Sequence, residues 1–492
     1  MVVPFGEWLP DQPDYENAGA TVAKNVIPET KGSYGPVSDL SAVTDALSAR
    51  CQGAFSSRLD TSGATSVFAG DATKLYKASS AAFSDVSQTA VTYNCPSTEN
   101  WEFTQYGSRV IAVNINDNPQ SFVLGTSSEF ADLGGSPPKA RHVQSIRDWV
   151  FLGNVTDYPY RIRWSAIDDP TDWPTIGSAD AASKQSDQQD FPNGGWVQAI
   201  LGGVGGVDGV IFQDYVIRRI VYEGGNTVFG FYEVERARGT PAPNSVVNAD
   251  GDTAFYLGED GFYAFNGRES LPIGAQKIDG WFFNDLDQSF FERIIGAADA
   301  IGKRVWWIYP SGNAAGGIPD SAVIFNWDLG RWSYARFDSE WLFQNLSAGY
   351  TLDSLDNLGY TLDSLPLSLD ARAWTGGRLL LSAFNTSHKQ ALFNGTPLAA
   401  TMETGEFGGP SRIMVRGIRP YVDGGTSTVT LRTRDTPTGS LTDTGPNSVD
   451  GDGQAHFSVS ARYARARVSI AAGGSWNHAQ GIDADYVEDG TI

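Results

Sequence analysis

Short apolar runs separated by Gly, Asn, Asp and Pro recur along the whole 492-residue chain. Arg109-Val110-Ile111-Ala112-Val113, Trp149-Val150-Phe151-Leu152-Gly153 and Arg304-Val305-Trp306-Trp307-Ile308-Tyr309 have strand length, are rich in β-branched and aromatic residues, and end in turn formers. They predict β-strands. Sustained helical periodicity is nearly absent. Only residues 41–50 and 290–297 read as short helices, and neither is long enough to found a helical domain.

The strands come in pairs. A first set centres on Phe68, Ile111, Phe151, Ile211, Phe255, Trp306 and Leu381. Partner strands follow at Leu75-Tyr76, Ser121-Phe122, Tyr160-Arg161, Ile217 to Ile220, Tyr263 to Phe265, Ile324-Phe325 and Leu392-Phe393. The repeat is irregular, with a mean period of about 52 residues, close to that of β-propeller blades. A four-stranded blade has two apolar faces, and radial stacking of neighbours covers both. The expected fold is therefore all-β: an irregular six- or seven-bladed propeller, with stacked sandwiches as the rival architecture. After Leu392 the rhythm changes. Alternating strands at Ala400 to Thr404, Ile413 to Ile418, Thr426 to Arg434, His456 to Val459, Ala464 to Ile470 and Gly481 to Val487 predict a C-terminal β-sandwich. The expected division is 1–60, an extended docking segment that joins the propeller; 61–399, the propeller; and 400–492, the sandwich. A loop excursion is expected near 344–366. It holds the duplication Tyr350-Thr351-Leu352-Asp353-Ser354-Leu355 and Tyr360-Thr361-Leu362-Asp363-Ser364-Leu365. Tyr350 and Tyr360 are candidate subunit-interface residues.

Charge narrows the function classes. With 35 basic and 57 acidic residues, the net charge is −22. A protein that coats DNA gains affinity from clustered cations, so that class is excluded. The first residues lack a basic, apolar leader pattern, and no apolar run reaches membrane-spanning length. The expectation is a protein made in the cytoplasm with no membrane span. Cys51 and Cys95 cannot build a disulfide framework, and they read as small buried hydrophobes.

Candidate chemistry is sparse. His142, His388, His456 and His478 show no metal-ligand or catalytic spacing. Each reads as a surface or satisfied core residue. Gly202-Gly203-Val204-Gly205-Gly206 lacks the Lys-Ser/Thr and helix of a phosphate loop. Asp168, Asp169 and Asp172 crowd one loop beside Trp173. They lack EF-hand spacing, so Asp168, Asp172 and Trp173 are read as a structural turn. Trp327-Asp328-Leu329-Gly330-Arg331-Trp332 resembles the Asp-box turn of sialidase propellers, a structural element. Trp327, Asp328, Gly330 and Trp332 are assigned to that turn. In Arg462-Tyr463-Ala464-Arg465-Ala466-Arg467, strand alternation puts Tyr463, Arg465 and Arg467 on one face. These three are candidates to pair with carboxylates of a neighbouring subunit, with DNA contact as the sharper alternative. No catalytic, cofactor-binding or metal-binding residue is assigned.

Four ordered blocks carry a family resemblance. The first is Phe5-Gly6-Glu7-Trp8-Leu9-Pro10-Asp11 with Asn17-Ala18-Gly19-Ala20 and Lys24-Asn25-Val26-Ile27-Pro28. The second runs from Trp164-Ser165 to Asp172-Trp173. The third holds Arg238-Gly239-Thr240, Gly258-Glu259-Asp260-Gly261-Phe262-Tyr263, Phe325-Asn326-Trp327 and Arg331-Trp332-Ser333. The last holds Ala400-Thr401-Met402-Glu403-Thr404, Ile418-Arg419-Pro420, Arg462-Tyr463 and Trp476-Asn477-His478-Ala479-Gln480-Gly481. Together they resemble the tail nozzle, or tail-hub, proteins of short-tailed bacteriophages, also described as packaged-DNA stabilisation proteins. The resemblance implies a virion tail protein, synthesised in the bacterial host cytoplasm. It implies a ring, expected to be a hexamer, below the portal and head-to-tail adaptor. Such a ring retains packaged DNA, conducts double-stranded DNA without tight binding, and carries tail fibres or spikes. Neither an enzyme activity nor a cofactor is implied. The rivals are a tail-associated propeller glycosidase or depolymerase, marked by a funnel of paired carboxylates with aromatic platforms, and a non-catalytic receptor-binding module.

Overall fold

The computed structural model describes residues 1–14, 17–79, 82–225, 227–347 and 377–488. Tyr350, Tyr360 and the duplicated segment lie outside them. Four-stranded antiparallel meanders occupy residues 54–85, 102–132, 140–190, 197–236, 247–272, 295–336 and 341–392. These are blades 1 to 7 of a β-propeller, numbered in chain order. In blades 1 to 6 the strands follow the chain outward from the axis. Blade 7 takes only three strands from its own stretch. Its outermost strand is Ser41–Ala46, which pairs antiparallel with Lys389–Leu392 through Ala46↔Lys389 and Ala42↔Ala391. Early chain thus closes the ring against late chain.

The seven repeat centres of the sequence are the second strands of the seven blades. Phe68 lies in Thr65–Gly70, Phe151 in Trp149–Val155, Trp306 in Arg304–Tyr309 and Leu381 in Leu379–Phe384. Second strands are covered on both faces, and every residue of Trp149–Val155 is buried. Between blades, aromatic side chains fill the wedge. Trp101 is buried against Gly53 and Gly70 of blade 1 and donates its indole N–H to the Asp71 carbonyl at 2.9 Å. A Cβ on Gly70 would enter the Trp101 ring, so close approach requires glycine here.

Two helix expectations are corrected. Residues 41–50 contain the closing strand Ser41–Ala46. Six isolated residues cannot sustain a helix, whereas the open edge of blade 7 offers a full ladder of partners. Residues 290–297 split into a 3-10 turn, Gln288–Arg293, and the innermost strand of blade 6, Ile295–Asp299. The Asp287 side chain accepts the Ser289 N–H and caps the turn.

The sheet of blade 6 does not end at its outer strand. Val22–Lys24 bridges Arg331–Arg336 in parallel and pairs antiparallel with Ala400–Glu403. Ala400–Glu403 pairs with Ala455–Ile470, which pairs with Phe407–Val422 and Ser427–Arg434. Ala479–Glu488 follows, and the N-terminal strand Val2–Pro4 lies on its edge. Propeller and C-terminal β-sandwich therefore share one 14-stranded sheet and one core that contains Trp8, Trp332, Met402, Val468 and Ile482. Trp8 sits 4.8 Å from Trp281 and 4.9 Å from Tyr334, ring centre to ring centre.

Four arginines and four carboxylates pin this seam. Glu403, which is 1% exposed, receives Arg467 at 2.8 Å, Arg432 at 3.1 Å and the Thr21 hydroxyl at 3.0 Å. Arg434 meets Glu406 at 2.6 Å. Arg465, 3% exposed, meets Asp14 at 2.9 Å, and Arg432 also meets Asp443 at 2.8 Å. Arg465 and Arg467 do share a face, as alternation requires, but that face turns toward the chain's own carboxylates. Tyr463 is half-buried beside them, its backbone paired with Arg434. The charges expected to meet a neighbouring subunit are matched internally.

The second seam is acidic. The Asp11 carboxylate accepts the N–H groups of Gly280 and Trp281, both at 2.7 Å, at the start of the short helix Asp279–Asp285. Asp279 is cradled by Gly261 and Gly274, where any Cβ would strike it. Burial pushes its carboxyl up to about 7, against the Phe262 N–H bond and with help from Asp11 and Asp260.

Two outcomes are expected. Glu403→Gln takes from Arg467 its carboxylate and from Arg432 one of two, and lowers unfolding free energy by about 3–5 kcal/mol; a loss under about 1 kcal/mol in urea melts refutes the network's role. For Asp279, the folded carboxyl holds its proton between its unfolded and folded pKa values while the unfolded one has lost it. Stability from this group is thus full below about pH 4 and lost as pH rises through about 7. Asp279→Asn keeps an acceptor for Phe262 and removes the titration. Its stability relative to wild type rises across that window, by about 1–2 kcal/mol after discounting for partial solvent access. Parallel melting curves at all pH values contradict this.

Candidate functional site

The innermost strands all run the same way along the propeller axis, so their first residues meet on one face. Along the axis itself they leave a cavity of about 280 Å³, walled by Phe55, Phe103, Ile200, Val247, Leu342 and Phe343. One major groove of duplex DNA is about 12 Å wide, so this cavity cannot admit a duplex.

Where the innermost strands of blades 2, 3 and 4 begin, a second cavity of about 240 Å³ opens. Its walls include Glu99, Glu102, Arg141, His142, Asn154, Trp196, Gln198, Asn244 and Glu292. Arg141 forks onto Glu99, with Nε to Oε2 at 2.9 Å and Nη2 to Oε1 at 2.6 Å. Its third nitrogen donates to Asn154 Oδ1 at 3.0 Å. The guanidinium also lies 5.5 Å from the Trp196 ring centre, within cation–π range. Trp196 is 50% exposed, and its backbone N–H is held by Asp214 at 2.7 Å.

Glu102 and His142 form the second pair. His142 Nδ1 lies 2.7 Å from Glu102 Oε2, and the other carboxylate oxygen accepts the Val143 N–H at 3.2 Å. A carboxylate only accepts, so Nδ1 carries the proton. His142 is 5% exposed, and its Nε2 is buried without a partner. This differs from the satisfied histidine expected from sequence. An unpaired buried polar atom costs about 1–3 kcal/mol.

Two irregularities in the sheets shape the same cavity. The register between the second and third strands of blade 3 shifts between Gly153 and Val155, at Asn154. In blade 4 the register shifts between Val197 and Ala199, at Gln198. Asn154 has φ 54°, a left-handed conformation that Asn tolerates better than most residues. Bulges re-aim side chains, and here both bulged residues line the cavity.

Of the residues assigned to turns, Asp168 and 327–330 lie in turns, Asp172 and Trp173 follow one, and Trp332 stands in the strand Arg331–Arg336. Asp168 has φ 58° and donates its N–H to the Asp148 carbonyl at 2.9 Å. Asp172 pairs with Lys184 at 2.7 Å, and Trp173 is buried, its indole N–H on the Pro170 carbonyl at 3.0 Å. In the 327–332 segment, Gly330 takes φ 68° and Trp332 is buried. Trp327 stacks on Phe255 at 5.8 Å. The side chain that closes the turn is Asn326, which accepts the N–H groups of Asp328 and Leu329, both at 3.1 Å. Asp328 instead pairs with Lys303.

The other histidines lie apart: His388 meets Glu340 at 2.6 Å, His456 meets Asp450 at 2.6 Å, and His478 meets Ser33 at 3.1 Å. Both cysteines are buried, and burial pushes both thiols up. Among the described residues, no group of three or more His, Cys, Asp or Glu is placed to hold a metal ion. No helix among them is long and apolar enough to cross a membrane.

No protein-family model and no curated protein matches this sequence. Similar solved structures include a functionally unknown protein from Desulfotomaculum acetoxidans, at 12% identity and TM-score 0.36, covering 62% of this chain and 96% of that one. The WD40 domain of Neurospora crassa Pan2 aligns at 6% identity and TM-score 0.34, over 79% and 94%. A fungal alcohol oxidase in complex with copper aligns at 10% identity and TM-score 0.37, over 92% and 99%. At these scores the superpositions carry no argument, and the blade architecture rests on the strand pairing itself.

Proposed function

We propose that the chain is a non-enzymatic structural subunit of a ring in a bacteriophage tail, placed below the portal and adaptor, that retains packaged DNA and conducts it during ejection. The ordered sequence blocks support this reading. The observation that carries it is the shared sheet that joins blade 6 to the sandwich through Val22–Lys24. A closed ring needs two different complementary faces per protomer, held at a fixed angle. A hinge between two domains would let that angle wander; the Lys24–Tyr334 bridge, the Val22–Lys24 pairing with Ala400–Glu403 and the shared core oppose that. Because the propeller's axial cavity is too small for a duplex, the conduit lies between copies. A net charge of −22 per copy suits such a conduit, since cationic contacts with phosphates would retard passage.

The glycosidase rival has less support. Glu99 is committed to Arg141, and Glu102 to His142 and the Val143 N–H. A glycosidase pair needs one carboxyl free to donate a proton and another free to attack or to activate water.

Electron cryomicroscopy of the virion that carries this protein tests the proposal. The expected image is a six-fold ring of this chain, coaxial with the DNA. A peripheral trimeric spike, or a monomer bound away from the axis, refutes it.

A further inference from the structure

We propose that the cavity at the start of the innermost strands of blades 2 to 4 is a binding site for one uncharged sugar residue, held without bond cleavage. The inference goes beyond ring assembly and does not rest on it, because each copy carries the whole site.

Size comes first. Pockets for drug-sized ligands run from about 300 Å³ upward. A cavity of about 240 Å³ suits a single six-membered ring with its hydroxyls, as at the end or branch of a polysaccharide. Surface chemistry comes second. Trp196 leaves half its surface open at the rim, an apolar platform for the C–H face of a pyranose. Arg141 beside the ring restricts the indole's freedom, which lowers the entropy cost of binding.

The polar groups are of both kinds. Gln198 and Asn244 offer amide oxygens and the N–H not already given to Asp214 or to the Glu292 carbonyl, and Glu99 and Glu102 offer carboxylate oxygens. Glu102 takes the Nδ1 side of the His142 ring, so Nε2 is the ring nitrogen left without a partner. That nitrogen is closed off from the open cavity, so a ligand's hydroxyls meet the amides and carboxylates of the wall instead. Hydroxyls donate and accept at once, so they match this mixture. An anion does not: Arg141 is already neutralised by Glu99, and Glu102 and Glu292 leave the wall acidic. The same commitments leave no free carboxyl pair for hydrolysis. Finally, Asn154 and Gln198 reach the cavity from two separate β-bulges.

The test is saturation-transfer NMR on the full-length protein with neutral hexoses, N-acetylhexosamines, hexuronic acids and orthophosphate, followed by titration. At least one uncharged sugar is expected to bind, with no hydrolysis of its oligosaccharides. Trp196→Ala weakens that binding by about tenfold or more, the size of loss seen when an aromatic stacking platform is removed. Its melting temperature stays at the wild-type value because Trp196 is half-exposed. Tyr421→Ala, an exposed aromatic on the sandwich, leaves binding unchanged. The proposal fails if no uncharged sugar binds, if only the charged probes bind, if Trp196→Ala binds like wild type, or if oligosaccharides are cleaved.

Discussion

Each blade of this chain has two apolar faces, and only another blade can cover them. Everything else follows from that constraint. An open row of blades would leave a terminal face in water, so the ring must close, and it must close with strands far apart in sequence. Ser41–Ala46 does this by taking the outermost place in blade 7. The strand is almost wholly exposed and contributes little burial of its own. Its role is topological: it ties residues near the start of the chain to Lys389–Leu392, after the other six blades have been laid down. Hydrophobic burial within the ring then stabilises a closure made by a few backbone hydrogen bonds.

The same constraint explains which strands the sequence displays. Second strands lie between neighbouring blades and are largely apolar on both sides, so Phe151, Trp306 and their counterparts stand out as runs. Innermost strands such as Ala54–Arg58 face the axial cavity on one side, and outermost strands such as Ala82–Asp85 face water. Their patterns are weak, and only the ring makes them strands. Residues 41–50 show the limit most clearly. Locally they have no preference strong enough to decide, and their partner lies some 340 residues downstream. Propensity is a weak prior where tertiary pairing is available.

Candidate sites follow a different rule. The features that stood out in sequence were local concentrations of charge: the arginines around Arg465 and the carboxylates around Asp168. Both are used internally, the first to seam the N-terminal segment to the sandwich, the second to turn a blade edge. An acidic chain that buries Arg465 must place carboxylates beside it, since an unpaired buried charge is far costlier than a paired one. A visible run of arginine in such a chain is therefore evidence for an internal network as much as for a partner. The cavity around His142 shows the reverse. Glu102, His142 and Trp196 come from three blades, and although Thr98, Glu99, Asn100 and Glu102 are close in sequence, nothing local says that they meet Arg141, His142 and Trp196. The one local hint is Trp196 itself, a large aromatic directly after Asn193-Gly194-Gly195, where no strand pattern needs it.

Scaffold and ligand site can be told apart by what the fold would do if left to itself. Elsewhere a buried carboxylate is fully met within its own blade, as Asp71 is by the N–H groups of Thr73 and Lys74 and the Tyr76 hydroxyl. Around Asn154 and Gln198 two adjacent blades break register at the same level, and the His142 nitrogen between them goes unpaired. The bulges also tie the wall together: Asn154 donates to the Val197 carbonyl at 2.9 Å and accepts from Arg141, and Gln198 donates to Asp214. A wall held this firmly keeps its remaining polar atoms in place for a ligand. A half-open tryptophan beside a wall of amides and carboxylates fits a hydroxyl-bearing ligand, and that fit requires nothing of the ring beyond leaving the face open to solvent.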